Sequence, residues 1–239
     1  MSQRAAIVTG ASRGIGLAIA EMLGAEGFAL TLTARKPATL EAAADGLRAQ
    51  GYEVQQLAAN LNDEEGIRAV VAAHRERYGR LDVLVNNGGV GVGAAAHEHE
   101  TKFIDMQLDV NLRAMIILYR ETADLLKAAG AQDGALVVNL ASIAGKNPQP
   151  WLSVYSATKA AVIAYTIAMN KELGGEGIKS VALCPGFVDT DMTEFVKGSV
   201  PAEEMIRPQD IANAVRFVLG LSRAAVVPEI VFQRPGETF

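Results

Sequence analysis

Tyr155 and Lys159 stand four residues apart at the head of an apolar run, Ala160 to Met169, that holds no Gly, Pro or charge. That run reads as a helix, so the two side chains share one face, a turn apart. A phenol with a pKa of about 10 is a poor proton donor or acceptor at neutral pH. An ammonium about 4 Å away, at an effective dielectric near 20, favours phenolate by roughly 4 kcal/mol, which would bring the phenol toward neutrality. The expectation is that Tyr155 serves as general acid toward a carbonyl or general base toward an alcohol. Ser142, at the end of the apolar run 135–140, is placed to hold the same substrate oxygen by a hydrogen bond. Taken alone, a Tyr-x-x-x-Lys pair is more often a surface pair on a helix, so the elements around it decide its meaning.

Runs rich in Val, Ile and Leu alternate with segments of helical period along the chain. Residues 5–9, 28–33, 54–58, 83–85, 135–140, 178–183 and 226–232 read as seven strands whose continuous hydrophobicity implies burial on both faces. Helices are expected near 15–24, 37–49, 63–78, 101–128, 155–173 and 208–221. Pro37 and Pro208 suit a first helical turn and Asp63 suits a cap. Such alternation predicts an α/β Rossmann fold: a doubly wound, seven-stranded parallel sheet with helices on both faces, forming one domain over residues 1–239.

The first strand-to-helix turn is Thr9-Gly10-Ala11-Ser12-Arg13-Gly14-Ile15-Gly16. Glycines at such a turn let backbone amides at a helix N-terminus approach a pyrophosphate. The spacing, Gly-x-x-x-Gly-x-Gly, is a weak signal by itself, but after the first strand of a sheet it points to a dinucleotide.

Bulk properties narrow the class. The 239 residues include 23 Gly and one Cys, are half hydrophobic, and carry a net charge of −5 with no long basic run. Nucleic acid is therefore not the expected partner. Cys184 alone forms no internal disulfide and fits a reducing compartment. No signal-like segment and no apolar run of about 18 residues is seen, so no membrane contact and a cytoplasmic location are expected. His97-Glu98-His99-Glu100 brings no cysteine or further histidine with it, and no metal site is expected there. Trp151, ahead of the Tyr155 helix with Pro148 and Pro150 nearby, fits packing and a pocket wall equally well.

Gly10/Gly14/Gly16, Asn86-Asn87-Gly88-Gly89, Asn111, Ser142, Tyr155/Lys159 and Pro185-Gly186 followed by Thr190 occur in one order and spacing over residues 5–222. In this the chain resembles the short-chain dehydrogenase/reductases. Through Cys184-Pro-Gly-Phe-Val-Asp-Thr-Asp-Met192 it is most similar to the 3-oxoacyl-(acyl-carrier-protein) reductases among them.

The resemblance implies a nicotinamide dinucleotide, with the end of the second strand choosing between NAD(H) and NADP(H). Thr33-Ala34-Arg35-Lys36 has no carboxylate to hold a ribose 2′-hydroxyl, and Arg13 and Arg35 are the expected ligands of a 2′-phosphate. NADP(H) is therefore the expected cofactor. Gly10, Ser12, Gly14, Ile15 and Gly16 would bind its pyrophosphate, and Asn60 and Leu61 its adenine. Asn87 and Gly88 would lie beside it, with Gly88 in place of the family's Ala expected to add slight flexibility. Pro185, Gly186, Val188 and Thr190 would hold the nicotinamide.

By the same resemblance, Lys159 also binds the nicotinamide ribose, and Asn111 holds a water linked to Lys159 for proton relay. Helices 101–128 and 155–173 would form the interface of a homotetramer, or of a homodimer. The space between Met192 and Pro208 has room for one short helix over the pocket. The resulting expectation is reversible reduction of a small-molecule ketone, a 3-oxoacyl thioester among the candidates. Alternatives are an NAD-dependent dehydrogenase of sugars, steroids or secondary alcohols, and a non-catalytic nucleotide-sensing protein.

Overall fold

The computed structural model describes residues 3–236, so the ends of the expected 1–239 domain lie outside the described residues. Seven parallel strands form one sheet in the order β3-β2-β1-β4-β5-β6-β7. They are β1 (Ala5–Thr9), β2 (Ala29–Ala34), β3 (Val54–Ala58), β4 (Val83–Asn86), β5 (Ala135–Leu140), β6 (Ile178–Pro185) and β7 (Glu229–Phe232). Each expected strand is present, three with the expected bounds and the others with ends moved by one to three residues. Pro228 stands just before the edge strand β7 and gives its carbonyl to Ala182 N, so its missing N–H costs no ladder bond.

Among the described residues seven α-helices connect the strands: α1 (Gly14–Ala25), α2 (Pro37–Ala49), α3 (Glu64–Tyr78), α4 (Thr101–Leu108), α5 (Ala114–Gln132), α6 (Ser153–Leu173) and α7 (Pro208–Leu219). Asp63 caps α3 by accepting from Glu65 N at 3.1 Å. Pro37 and Pro208 open their helices, where a missing N–H is harmless. Residues of α1, α2 and α7 fill one face of the sheet, while α3, α5 and α6 cover the other.

Two expectations are corrected. The helix read as 101–128 is interrupted: Asp109–Arg113 is one π-helical turn between α4 and α5. The stretch between Met192 and Pro208 holds two 3₁₀ turns, Asp191–Val196 and Ala202–Glu204, in place of one helix. Its base is pinned by a bridge between Val188 and Ile206.

The strand order reverses between β1 and β4, and at that switch point ligands lie across the carboxyl ends of the strands. A buried polar relay fixes the sheet there. Asn86 Nδ2 donates to Asn139 Oδ1 across β4 and β5, and Asn139 Nδ2 donates to Thr166 Oγ1 on α6. Because every member but Asn86 Oδ1 is partnered, these buried groups specify one register of helix on sheet.

Candidate active site at the switch point

The glycine turn is built by contact as much as by conformation. Gly10 and Gly14 have φ values of 63° and 55°, in the left-handed region. Gly16 has ordinary φ, but a Cβ there would lie 2.4 Å from Gly10 O and from Asn87 Nδ2. That same Nδ2 donates to Thr9 O and Gly10 O, so Asn87 holds the turn from below. Thr9 Oγ1 accepts from the amides of Asn87 and Gly88, joining the ends of β1 and β4. Helix α1 starts without a side-chain cap and without an acid in its first turn, leaving its amides for an anion.

Gly88 carries a purpose that sequence reasoning missed. A Cβ on it would meet Leu61 Cδ1 at 2.3 Å, so the leucine occupies the space an alanine would need. Leu61, which follows β3, is thereby packed against Gly88 at the end of β4, while Asn60 is exposed beside it. Arg35 is exposed, without a hydrogen bond or ion pair among the described residues. Arg13, expected to act with it, instead pairs with Asp191 across the mouth of the cleft. Thr190 approaches the turn from the same side, its methyl 3.0 Å from where a Gly14 Cβ would stand. Its hydroxyl donates to Val188 O at 3.4 Å, and Thr193 Oγ1 donates to the same carbonyl at 2.5 Å. Pro185 ends β6, and Gly186 N donates to Phe232 O on the edge strand.

The four expected catalytic residues converge from three elements, Tyr155 and Lys159 sharing α6. Ser142 follows β5 and caps a 3₁₀ turn by accepting from Ala144 N. It is hydrogen-bonded to the Tyr155 hydroxyl, a contact that lowers the phenol's pKa. Lys159 is buried, and its Nζ donates to Leu140 O at 2.6 Å. Asn111 sits on the π turn and clasps the chain opposite: Val90 N donates to its Oδ1 at 2.8 Å, and its Nδ2 donates to Val90 O and Thr158 Oγ1. The π turn, a feature often found at functional sites, rotates Asn111 inward.

One electrostatic expectation is overturned. Lys159 Nζ stands 5.7 Å from the Tyr155 ring centroid and is engaged by a carbonyl, so its pull on the phenol is weaker than the effect of burial and the net shift is upward. Burial raises the Tyr155 pKa, and the Ser142 bond offsets only part of this. Burial also brings Lys159 down to about 8, since desolvation penalises the cation. The pair therefore rests at neutral pH as a protonated phenol beside an ammonium.

A cavity of about 10 Å³, room for one water, adjoins Asn111 and is lined by Thr9, Asn86 and Leu140 as well. Cys184 is buried in β6, where desolvation pushes its thiol up to about 12 and leaves it no nucleophilic character. His99 Nε2 meets Ser153 Oγ at 3.3 Å, tying the 97–100 loop to the start of α6. Among the described residues no group of three or more His, Cys, Asp or Glu is arranged for a metal. None of their helices is long and apolar enough to cross a membrane.

Residues 4–199 match the short chain dehydrogenase family. The chain belongs to it. A 3-oxoacyl-(acyl-carrier-protein) reductase of Staphylococcus aureus is 32% identical over 90% of both chains. A short chain dehydrogenase from Burkholderia cenocepacia, solved with NADP, superposes with a TM-score of 0.86 at 30% identity, covering 97% of this chain and 96% of its own. A variant of actinorhodin polyketide ketoreductase with NADPH gives 0.86 at 32% identity, with 97% of each chain covered. As members of that family do, the chain folds as a parallel, doubly wound sheet.

Proposed function

We propose that this dehydrogenase is an NADP(H)-dependent ketoreductase acting on a small-molecule ketone or its secondary alcohol, with 3-oxoacyl thioesters among the candidate substrates. The observation that carries the reading is the Tyr155 hydroxyl hydrogen-bonded to Ser142, with Lys159 and Asn111 packed together beside it at Gly89. NADP(H) would supply or accept the hydride at the carbonyl carbon.

The residues present fit that cofactor. Gly10, Ser12, Gly14, Ile15 and Gly16 leave a bare helix N-terminus for the pyrophosphate, with no Cβ of the three glycines in the way. Arg35 is exposed and makes no ion pair among the described residues, so it can take the 2′-phosphate, and the segment 33–36 brings no carboxylate of its own to repel that charge. Arg13 would join it after leaving Asp191. Asn60 and Leu61 border the adenine position, and Asn87 and Gly88 support the turn. Pro185, Gly186, Val188 and Thr190 line the nicotinamide end. The relatives solved with NADP and NADPH support this choice.

In the reducing direction Tyr155 gives its proton to the developing alkoxide, and Ser142 donates a hydrogen bond to the same oxygen. Burial keeps the proton on the phenol, and transfer runs downhill because the developing alkoxide is a stronger base than the phenolate. Lys159 contributes positive charge that stabilises the phenolate left behind and a hydrogen bond to the nicotinamide ribose. Asn111 keeps the 89–91 backbone against Lys159, and by the family resemblance it would hold a water that relays protons to Lys159.

The protein is proposed to work in the cytoplasm as a homotetramer, or a homodimer. Leu108, Ile116 and Ile167 stand exposed on α4, α5 and α6, an apolar surface that self-association would cover. The test is reduction of a ketone panel with NADPH and with NADH, for wild type and Tyr155→Phe. NADPH-dependent turnover that Tyr155→Phe reduces at least a hundredfold, with NADPH binding kept, is expected. Retention of more than a few per cent of activity in that variant sinks the assignment.

A further inference from the structure

Trp151 is the chain's single tryptophan, and among the described residues it alone has positive φ without being glycine, at 55°. L side chains rarely adopt that backbone state, so packing must hold it. Ala94 N donates to its carbonyl at 2.8 Å, and its indole lies so close over Gly93 that a Cβ there would be 2.0 Å from the ring. A Cβ on Gly91 would likewise rest 3.4 Å from the Tyr155 ring, and one on Gly89 3.4 Å from Lys159 Nζ.

The segment 89–93 thus runs past Lys159, the Tyr155 ring and the indole in turn, and sets the indole two residues along it from the contact with Tyr155.

From the opposite side Phe195 meets Trp151 edge to face, with ring centroids 6.1 Å apart at 86°. Phe195 rides on the excursion pinned at Val188 and Ile206, and it is 64% exposed, with Trp151 at 52%. Neither ring serves the core. Each keeps an accessible face beside the other.

We propose that Trp151 and Phe195 are specificity-determining residues that select the non-reacting arm of the ketone, and that this arm is a flat aromatic ring. The inference rests on the ketoreductase reading above. A straight alkyl chain lying against the exposed faces of the two rings gains burial alone. A ring gains the offset or edge-on geometry that the two exposed π-systems already favour, an advantage of up to about tenfold in binding.

The test compares kcat/KM, with NADPH, for acetophenone and for a straight-chain methyl ketone of the same carbon number. Wild type is compared with Phe195→Ala and Trp151→Asn; Asn tolerates the left-handed backbone. Wild type should favour acetophenone, and both variants should lower the aromatic-to-linear ratio about tenfold, mainly through KM. Phe195→Ala, a change at an exposed position, carries the test alone if Trp151→Asn fails to fold. A ratio unchanged by Phe195→Ala, or a wild-type preference for the linear ketone, overturns the inference and leaves the ketoreductase reading intact. Turnover of neither ketone nor any other carbonyl, with NADPH bound, overturns both.

Discussion

Replacing Gly88 by alanine should damage the floor of the cofactor cleft, and Leu61→Ala should repair it. The added Cβ would lie 2.3 Å from Leu61 Cδ1, whereas carbon atoms settle at about 3.5–4.0 Å. Relieving more than an ångström of overlap means rotating Leu61 out of its well or shifting the β4 end, at about 1–3 kcal/mol. Leu61 is only partly buried, so truncating it should cost less than the roughly 2–5 kcal/mol of a core leucine. The double variant should be more stable than the sum of the single effects by at least about 1 kcal/mol, because the alanine methyl fills the space the leucine leaves. Urea unfolding of all four proteins measures this coupling, and NADPH titration shows whether the β4 turn recovers with it. Each 1 kcal/mol corresponds to about 2–4 °C in Tm for a chain of this size. Additivity within about 0.5 kcal/mol would refute the claim that Leu61 is what makes glycine necessary at this position.

Asp191→Asn should release Arg13 and remove a negative charge from the cleft mouth. The pair is exposed, so NADPH affinity should rise by no more than about fivefold, and NADH affinity should move less. A weaker NADPH complex in a fluorescence titration would contradict that. His74 is buried between Thr31 Oγ1 and Arg80 O, and desolvation lowers its pKa from 6.5 to about 4. A depressed folded-state pKa means stability that is present above about pH 6.5 and lost as pH falls toward 4. That loss totals about 3 kcal/mol, of which roughly 2 kcal/mol has gone by about pH 5, and a pH series of urea melts should show it. The Lys159 ammonium should leave kcat/KM for ketone reduction level up to about pH 8 and falling above it, and a profile with no break there would count against its role. Cys184 should resist thiol reagents in the native protein and react on unfolding; rapid native labelling would show that β6 opens.

The dinucleotide-type sheet was legible because its evidence is local and repeated. Apolar runs such as 135–140, prolines at 37 and 208 and the cap at Asp63 each act within a few residues, and the structure keeps all of them. The motif residues were legible for a similar reason: Gly10, Gly14 and Gly16 answer to one turn, and Tyr155 and Lys159 to one helical period. The meaning of Gly88 and Gly93 was not, since each answers to a side chain, at Leu61 or Trp151, that lies far away along the chain. The π turn at Asp109–Arg113 was hidden as well, because Asn111 gains its bonds to Val90 and Thr158 only when three segments meet.

Charge state belongs wholly to the tertiary level. From spacing alone, Lys159 would bring Tyr155 toward neutrality; in the fold a carbonyl of β5 takes the ammonium and burial governs both groups. Arg13 likewise carries the charge expected of a phosphate ligand, yet Asp191 holds it across the cleft. The sequence by itself determined which groups are present and the period that aligns them. Tertiary packing decided which partners each group meets and how much water it loses, and those two quantities set a proton's free energy.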